Sequence, residues 1–211
     1  MPSAPESGVN GLGPAGRAPR RRSDRARLAV LNAADDLLVE RGYAGVTIEG
    51  IAARAGVAKQ TIYRWWPSKF EILMDTLLED AESALAVPDT GSFAGDLRQH
   101  LRQLADFLSA QPAGRVLLAL IGQAQHDAGE ARAFQQRFGD ERRARDRVIF
   151  ERALARGDIA PGADLDLLAD LADGPLYHRV LLTGLPLDGV FIDGLVDRVL
   201  ASVSRPARSS S

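Results

Sequence analysis

Residues 47–69 read TIEGIAARAGVAKQTIYRWWPSK, and this stretch decides the fold. Ile51 and Ala52 precede Ile62 at spacings that let two short helices cross over a small apolar core. Ala52 is small, as required where two helices approach closely. Gly56 lies between the helices, where a tight turn favours a residue without a Cβ. The stretch therefore predicts a helix-turn-helix.

The second helix of this motif, from about Ala58 to Trp65, carries polar side chains outside that core. These donors are Lys59, Gln60, Thr61, Tyr63 and Arg64. A helix fits a DNA major groove about 12 Å wide, where Lys favours guanine and Gln favours adenine. We therefore expect Lys59 and Gln60 to contact base edges, with phosphate or water contacts as the alternative.

Helical patterns continue on both sides of the motif. The preceding helix runs from Ser23 to Arg41 and is followed by Gly42, while Ser68 caps a helix that ends before Pro88. Further helices are expected at about 92–110, 113–126, 129–156, 164–183 with a bend at Gly174-Pro175, and 188–203. No alternating strand pattern competes with them. The predicted fold class is all-α, with about nine helices and a three-helix helix-turn-helix domain at residues 23–70.

Charge is distributed unevenly along the chain. The net charge is -2, but residues 1–70 contain 11 Lys and Arg against 6 Asp and Glu, whereas the remainder contains 15 against 22. A basic first third on an acidic body is expected when only one end meets a polyanion.

Composition excludes several classes of chemistry. The chain has no cysteine, so disulfides, thiolate nucleophiles and sulfur-rich zinc sites are absent. Its three histidines lie in separate segments without metal-ligand spacing, and no G-x-S-x-G nucleophile motif is present. We therefore expect no metal, no cofactor and no enzymatic activity, although a helical enzyme and a protein-binding scaffold remain alternatives. No apolar run is long enough to cross a bilayer, so we expect a cytoplasmic protein without a membrane partner.

Both termini are polar and poor in large apolar side chains. Residues 1–22 are predicted to form a disordered basic arm that ends in Arg20, Arg21 and Arg22. These arginines either improve solubility or lie along DNA, and the sequence does not separate the two possibilities. Residues 205–211 are predicted to form a disordered tail.

The segment from about Ser23 to Leu78 resembles the reading heads of the TetR/AcrR family of bacterial regulators. That family shares the pattern T-x-x-x-I-A-x-x-A-G-V-x-x-x-T-I/L-Y-x-x-[aromatic]-x-x-K. The matching positions are Thr47, Ile51, Ala52, Ala55, Gly56, Val57, Thr61, Ile62, Tyr63, Trp66 and Lys69. The resemblance implies a one-component transcriptional regulator, most often a repressor, that binds palindromic operator DNA as a homodimer. A small-molecule effector bound to the C-terminal part would release it.

The resemblance also implies roles for individual residues of the reading head. Thr47 matches the family's phosphate contact at a helix start, and Tyr63 and Lys69 match its phosphate-contacting tyrosine and lysine. Glu49 departs from the pattern, because some family members have a basic residue that contacts a base at this position. The resemblance therefore implies no base contact from the first helix of the motif in this chain.

Trp65 and Trp66 are adjacent, so on a helix they point about 100 degrees apart and cannot share one core. We assign Trp66 to packing and Trp65 to the DNA-facing surface, with coverage of the first helix as the alternative for Trp65. Arg64 is expected to contact a base or the DNA backbone, or else to form a simple salt bridge.

Residues 71–204 are expected to form the ligand-binding and dimerisation domain that the resemblance implies. Candidates for the ligand pocket are Leu104, Phe107, Leu117, Leu118, Ile121, Phe150, Tyr177 and His178. Candidates for the dimer interface, on the last two helices, are Leu171, Leu176, Val180, Ile192, Leu195 and Val199. Both sets have an alternative role as ordinary core residues within one chain.

Overall fold

The protein was analysed as a computed structural model that describes residues 18–203, with side chains from residue 23 onward. Every regular element within this range is a helix, as the sequence predicts. The ten α-helices are α1 Ala18–Gly45, α2 Ile48–Ala55, α3 Lys59–Trp65, α4 Lys69–Ala84, α5 Phe93–Ala110, α6 Pro112–Ala124, α7 Ala128–Phe134, α8 Asp140–Arg156, α9 Leu165–His178 and α10 Gly189–Val203.

Two π-helical segments interrupt the regular helices of the described range. The first, Gln135–Gly139, joins α7 to α8 without a loop, and the second, Arg179–Thr183, follows α9 directly. Taking α7, the first π-segment and α8 as one rod leaves nine helices. The sequence predicted one regular helix over 129–156, because a single inserted residue leaves the apolar spacing almost unchanged.

The first helix begins at Ala18, five residues earlier than expected. The prediction of disorder is therefore wrong for residues 18–22, while residues 1–17 and the predicted tail lie outside the described range. Pro19 falls in the first helical turn, where a missing N–H leaves no hydrogen bond unmade. Gly42 has φ 66° and ψ 173°, so the regular helix breaks at the glycine where the sequence ends it.

Side-chain caps are present at the two helix starts that the sequence predicts at Thr47 and Ser68. The Thr47 hydroxyl accepts from the backbone N–H of Gly50 at 3.0 Å, and Ser68 accepts from that of Glu71 at 3.3 Å. Such caps satisfy backbone donors that have no partner within the first helical turn. The starts of α2 and α4, on either side of α3, are thus fixed by local chemistry.

A shared helix joins the reading head to the body. Helix α1 packs on α2, α4 and α6, and α4 also packs on α6. In the body, α5 contacts α6, α8, α9 and α10, so it forms the centre of that layer. The predicted boundary at residue 70 falls at the start of α4, which belongs to both parts. Movement of α4 against the body therefore also moves the head.

No single helix of the described residues is long and apolar enough to span a membrane. Helices α5 and α6 pass that test only together, and they are bent by 81° relative to each other.

Gly114 allows the close approach of α5 and α6. A Cβ built on this residue would lie 2.0 Å from the backbone oxygen of Phe107, a distance that no packed atoms tolerate. Gly122, on the same helix, has no neighbour within 4 Å of its Cβ position. The two glycines therefore form a matched pair for a test of packing.

We predict that Gly114→Ala lowers the free energy of unfolding by about 1–3 kcal/mol, because the added methyl group forces α5 and α6 apart. Gly122→Ala is expected to raise it by roughly 0.5–1 kcal/mol through the better helix propensity of alanine. Urea denaturation at one fixed protein concentration measures both. Equal effects of the two substitutions would contradict the close approach.

Candidate nucleic-acid interface

Helix α3 presents one apolar and one polar face. Ile62 is fully buried in the same apolar core as Ile51, whereas Lys59, Gln60 and Tyr63 are exposed, with 54% of Tyr63 accessible. Thr61 is half-buried and Arg64 is exposed. The polar face of this helix is therefore free to meet a partner in the described structure.

Trp66 is buried on the side of α3 opposite its polar face and fixes the end of this helix. Only 3% of this residue is exposed, which confirms its predicted role in packing. Its indole N–H donates to Asp75 Oδ2 at 2.8 Å, and Arg27 Nη2 donates to the same oxygen at 3.1 Å. Arg137 donates to the other carboxylate oxygen, Oδ1. The sequence indicated the tryptophan but not this carboxylate hub, whose partners are far apart in the chain.

Lys59 is paired with the unusual glutamate of the first motif helix. Its Nζ lies 3.0 Å from Glu49 Oε1, and both side chains are exposed. The hydrogen bond from Lys59 keeps the pKa of Glu49 below its ordinary value. An exposed pair of this kind is weak, so a phosphate or base can compete for the lysine.

Thr47 is exposed at the start of α2, where the backbone N–H groups of the first turn point outward. Its hydroxyl already accepts from Gly50, so its O–H hydrogen remains available as a donor. A helix start with a free hydroxyl donor suits an anionic oxygen.

Lys69 is more constrained than the sequence suggested. Its Nζ donates to the carbonyl oxygens of Tyr43 at 2.8 Å and Val46 at 3.0 Å, and it lies 4.2 Å from the centre of the Tyr43 ring. Partial burial lowers the pKa of the ammonium. Two of its three N–H donors hold the end of α1 and the loop that follows it, which leaves one for a phosphate.

Trp65 lies in a groove between α1 and the helix-turn-helix. It is half-buried and packs against the core, and the groove is also lined by Ala26 and Ala29 of α1. The Arg64 guanidinium stacks over the indole at 5.6 Å. This position favours coverage of α1 over a purely DNA-facing role for Trp65.

The comparisons with known proteins agree with this geometry. Residues 30–75 match the family model described as bacterial regulatory proteins, tetR family, and residues 87–199 match the tetracyclin repressor-like C-terminal domain. The second match alone spans more than half of the chain. This chain belongs to the TetR family.

Relatives of similar length support the assignment. The uncharacterized HTH-type transcriptional regulator YdeS of Bacillus subtilis is 36% identical over 91% of this chain and 96% of that protein. The DNA-binding transcriptional repressor TetR of Mycobacteroides abscessus is 33% identical over 88% of this chain and 97% of that protein. The crystal structure of the TetR family transcription regulator SCO0332 superposes with a TM-score of 0.72 at 38% identity, covering 86% of this chain and all of that one.

Family membership, relatives and fold all indicate a helix-turn-helix transcriptional regulator rather than an enzyme. The prediction from the reading-head pattern is thereby confirmed. It rested on spacing within 23 residues, which the structure preserves as two crossing helices and a turn.

The body of this TetR-family chain contains a buried charged cluster that the sequence did not reveal. His100 Nε2 lies 2.8 Å from Asp173 Oδ1, and Asp146 Oδ2 accepts from Arg142 Nε at 2.9 Å. Burial raises the pKa of Asp146 to about 7, while His100 lowers that of Asp173. One ligand atom each from His100, Asp146 and Asp173 could surround a metal ion, but Arg142 already supplies a cation here. We read the cluster as a link between α5, α8 and α9.

The predicted pocket residues fall into three groups by burial in the TetR-family body. Buried in the core are Leu104, Phe107, Leu117 and Phe150; half-buried are Leu118, Ile121 and Tyr177; exposed is His178. The cavity that the structure shows beside α4 is lined by other side chains. Periodicity alone marked apolar positions but could not separate a packed core from a cavity wall.

The predicted dimer residues also differ in how deeply they are buried. Leu171 is exposed and Val180 and Leu195 are half-buried, but Leu176, Ile192 and Val199 are buried inside the protomer. These last three cannot reach a second copy without unpacking, so the expectation needs correction for them. The buried part of the stripes on α9 and α10 serves the protomer's own core, whereas Leu171 stays exposed.

We predict that Glu49→Gln strengthens DNA binding roughly two- to fivefold, because Lys59 loses its competing carboxylate. The slope of log affinity against log salt concentration should steepen by up to about one unit, which corresponds to one additional phosphate contact. Fluorescence anisotropy between about 50 and 200 mM salt measures both quantities.

The matched control is Glu151→Gln, which removes an equal charge from the Glu151–Arg147 pair on α8, far along the chain from the reading head. An unchanged affinity for Glu49→Gln, or an equal gain for both variants, would show that the Glu49–Lys59 pair does not restrain DNA binding.

Proposed function

We propose that this protein is a homodimeric repressor of the cytoplasm that binds palindromic operator DNA and is released by a small molecule. Residues 23–70 form the reading head in this proposal, and residues 71–204 bind the effector and the second copy. The observation that carries the proposal is the exposed polar face of α3, held in place by Trp66 behind it. Such a helix can enter a major groove without rearranging its own core.

The proposed DNA contacts are of two kinds, base contacts and phosphate contacts, according to the position of each residue on the reading head. Lys59 and Gln60 begin the exposed face of α3 and are assigned to base edges. Tyr63, Thr47 and the remaining donor of Lys69 are assigned to phosphates. Thr61 and Arg64, the other polar residues of α3, are also assigned to the DNA-binding surface. Trp65 supports the DNA-facing surface from its groove against α1.

The test of this function is binding to the DNA upstream of the protein's own coding region. We predict sequence-specific, salt-dependent binding, which Lys59→Ala or Gln60→Ala redirects to other sequences in a binding-site selection. Tyr63→Phe is expected to weaken all sequences alike by about fivefold, the effect of one lost hydrogen bond.

Gln136→Ala, at an exposed position of the first π-segment, serves as the control and should leave binding unchanged. If the protein binds none of the DNA sequences tested at any salt concentration, the repressor assignment is wrong. Identical selections for the Lys59, Gln60 and Tyr63 variants would refute the division of contacts.

Exposed apolar side chains towards the C-terminal end of the chain support the homodimer. They are Leu167 and Leu171 on α9, Leu181 and Leu182 on the second π-segment, Leu185 in the following loop and Val190 on α10. Leu182 is 77% exposed and Val190 is 85% exposed. Leu167 and Leu171 share one face of α9 because they are four residues apart. Exposed apolar side chains on the last two helices and the segment between them suit pairing with a second copy around a two-fold axis.

We predict that Leu182→Asp dissociates the dimer, since it places a charge within the proposed apolar contact. Analytical ultracentrifugation should show a monomer, and operator affinity should fall at least about tenfold because the two heads no longer bind together. Val39→Asp, at an exposed apolar site on α1, is the control and should remain dimeric. A dimeric Leu182→Asp variant would place the interface elsewhere.

Release by an effector requires a connection between body and head. Arg137 of the first π-segment donates to Glu71 and Asp75, both on α4. Asp75 in turn holds Trp66 at the end of α3. We name these four side chains the clasp. A ligand that binds better to a state with the clasp displaced would shift the population away from the DNA-binding arrangement.

A further inference from the structure

The Glu49–Lys59 pair joins the two helices of the reading head on their exposed side. Glu49 lies in the first turn of α2, and Lys59 is the first residue of α3. Lys59 Nζ donates to Glu49 Oε1 at 3.0 Å, while 54% of the lysine side chain and 64% of the glutamate side chain are accessible. A cationic donor and an anionic acceptor therefore lie side by side on the surface assigned to DNA.

The position of Lys59 indicates which part of DNA this pair meets. The N-terminal residues of a recognition helix are the ones that contact base edges in the major groove. Because Glu49 is held against the lysine ammonium, its carboxylate is brought to the same part of the groove. A phosphate is a poor partner for the pair, since the carboxylate repels it. A base pair that offers both a donor and an acceptor is a better one.

A G·C base pair offers this arrangement at its major-groove edge. Guanine presents the acceptors O6 and N7, and cytosine presents the N4 amino donor. Guanine O6 and cytosine N4 are hydrogen-bonded to each other, so they lie about 2.9 Å apart. This spacing nearly equals the 3.0 Å between Lys59 Nζ and Glu49 Oε1. Lysine has three N–H donors and a carboxylate has several acceptor positions, so both can contact the base pair without breaking their own hydrogen bond.

An A·T pair fits these two side chains less well. It also places a donor, adenine N6, beside an acceptor, thymine O4. However, the neighbouring adenine N7 is an acceptor that repels a carboxylate, and the thymine methyl group restricts the approach to O4. Guanine in contrast gives the lysine two acceptors, and cytosine has no acceptor beside its amino group in this groove.

We propose that Glu49 and Lys59 act as one unit that recognises a G·C pair in each half-site, with Lys59 donating to guanine and Glu49 accepting from the cytosine amino group. The family resemblance implies no base contact from position 49, because the basic residue of some members is absent. The acidic residue supplies a contact of the opposite kind, to a different base. This inference deepens the DNA-binding function proposed above and rests on it.

In this arrangement Glu49 contributes sequence discrimination rather than affinity. The phosphates repel its carboxylate whatever the sequence, so a site that gives it no donor is penalised. At a site with the cytosine, a charged hydrogen bond offsets that penalty. The gain in affinity predicted above for Glu49→Gln is therefore expected in full on DNA that lacks the G·C pair, and the lost hydrogen bond cancels it on DNA that has the pair.

A binding-site selection from randomised duplexes tests the inference with the purified full-length protein. Wild type, Glu49→Gln, Lys59→Ala and Gln60→Ala are compared. The Glu49 and Lys59 variants should lose their preference at one and the same G·C pair of each half-site, because the two side chains contact it together. Gln60→Ala should change the preference at a different pair.

Fluorescence anisotropy then measures the discrimination. The wild type should bind its selected site at least about tenfold more tightly than the same site with that G·C pair replaced by A·T. For Glu49→Gln the ratio should fall below about threefold. Glu151→Gln, which removes an equal charge from the pair with Arg147 on α8, should keep the wild-type ratio.

Each other outcome contradicts a defined part of the inference. If Glu49→Gln keeps every wild-type preference, or if the Glu49 and Lys59 variants lose preference at different pairs, the two side chains do not act as one unit, and the repressor function stands. If the shared position is an A·T pair, the assignment of the base pair is wrong. If the wild-type protein selects no sequence at all, the proposed function fails and this inference fails with it.

Discussion

The structure depends on one carboxylate, Asp75, which holds together parts that are distant in the chain. It accepts hydrogen bonds from Trp66 at the end of the recognition helix, from Arg27 on α1 and from Arg137 in the body. An exposed recognition helix of only seven residues cannot be stable by itself. It keeps its shape because Ile62 is buried beneath it and Trp66 is fixed behind it.

Much of the reading head could be predicted because its determinants are local. Thr47 and Ser68 mark helix starts, Gly56 adopts the left-handed turn conformation, and the spacing of Ile51 and Ile62 defines the small core. Each signal acts within a few residues, so it can be read from the sequence without knowledge of the tertiary structure. The adjacent tryptophans show the same logic, since helix geometry alone separates a buried Trp66 from a more accessible Trp65.

The body was less predictable because its specificity lies in contacts between distant residues. Arg137 and Asp75 are 62 residues apart, and His100 and Asp173 are 73 apart. In the sequence, Arg137 is one of many charged residues in a polar stretch, and nothing marks it as a partner of α4. The same limitation explains why Leu176 and Ile192 were assigned to the interface: an apolar stripe shows that a face is buried, but not which surface buries it.

The position of the cavity beside α4 links the body mechanically to the reading head. Helix α4 lines the cavity with Leu78 and Ala81 and, one turn earlier, carries Asp75. A rigid helix cannot shift at one of these points without moving the other, because they are about one helical turn apart. The π-segment is the more adaptable side, since its wider turns strain the regular hydrogen-bond pattern. Displacement of Phe138 would therefore move Arg137 first, and through it the carboxylate that steadies α3.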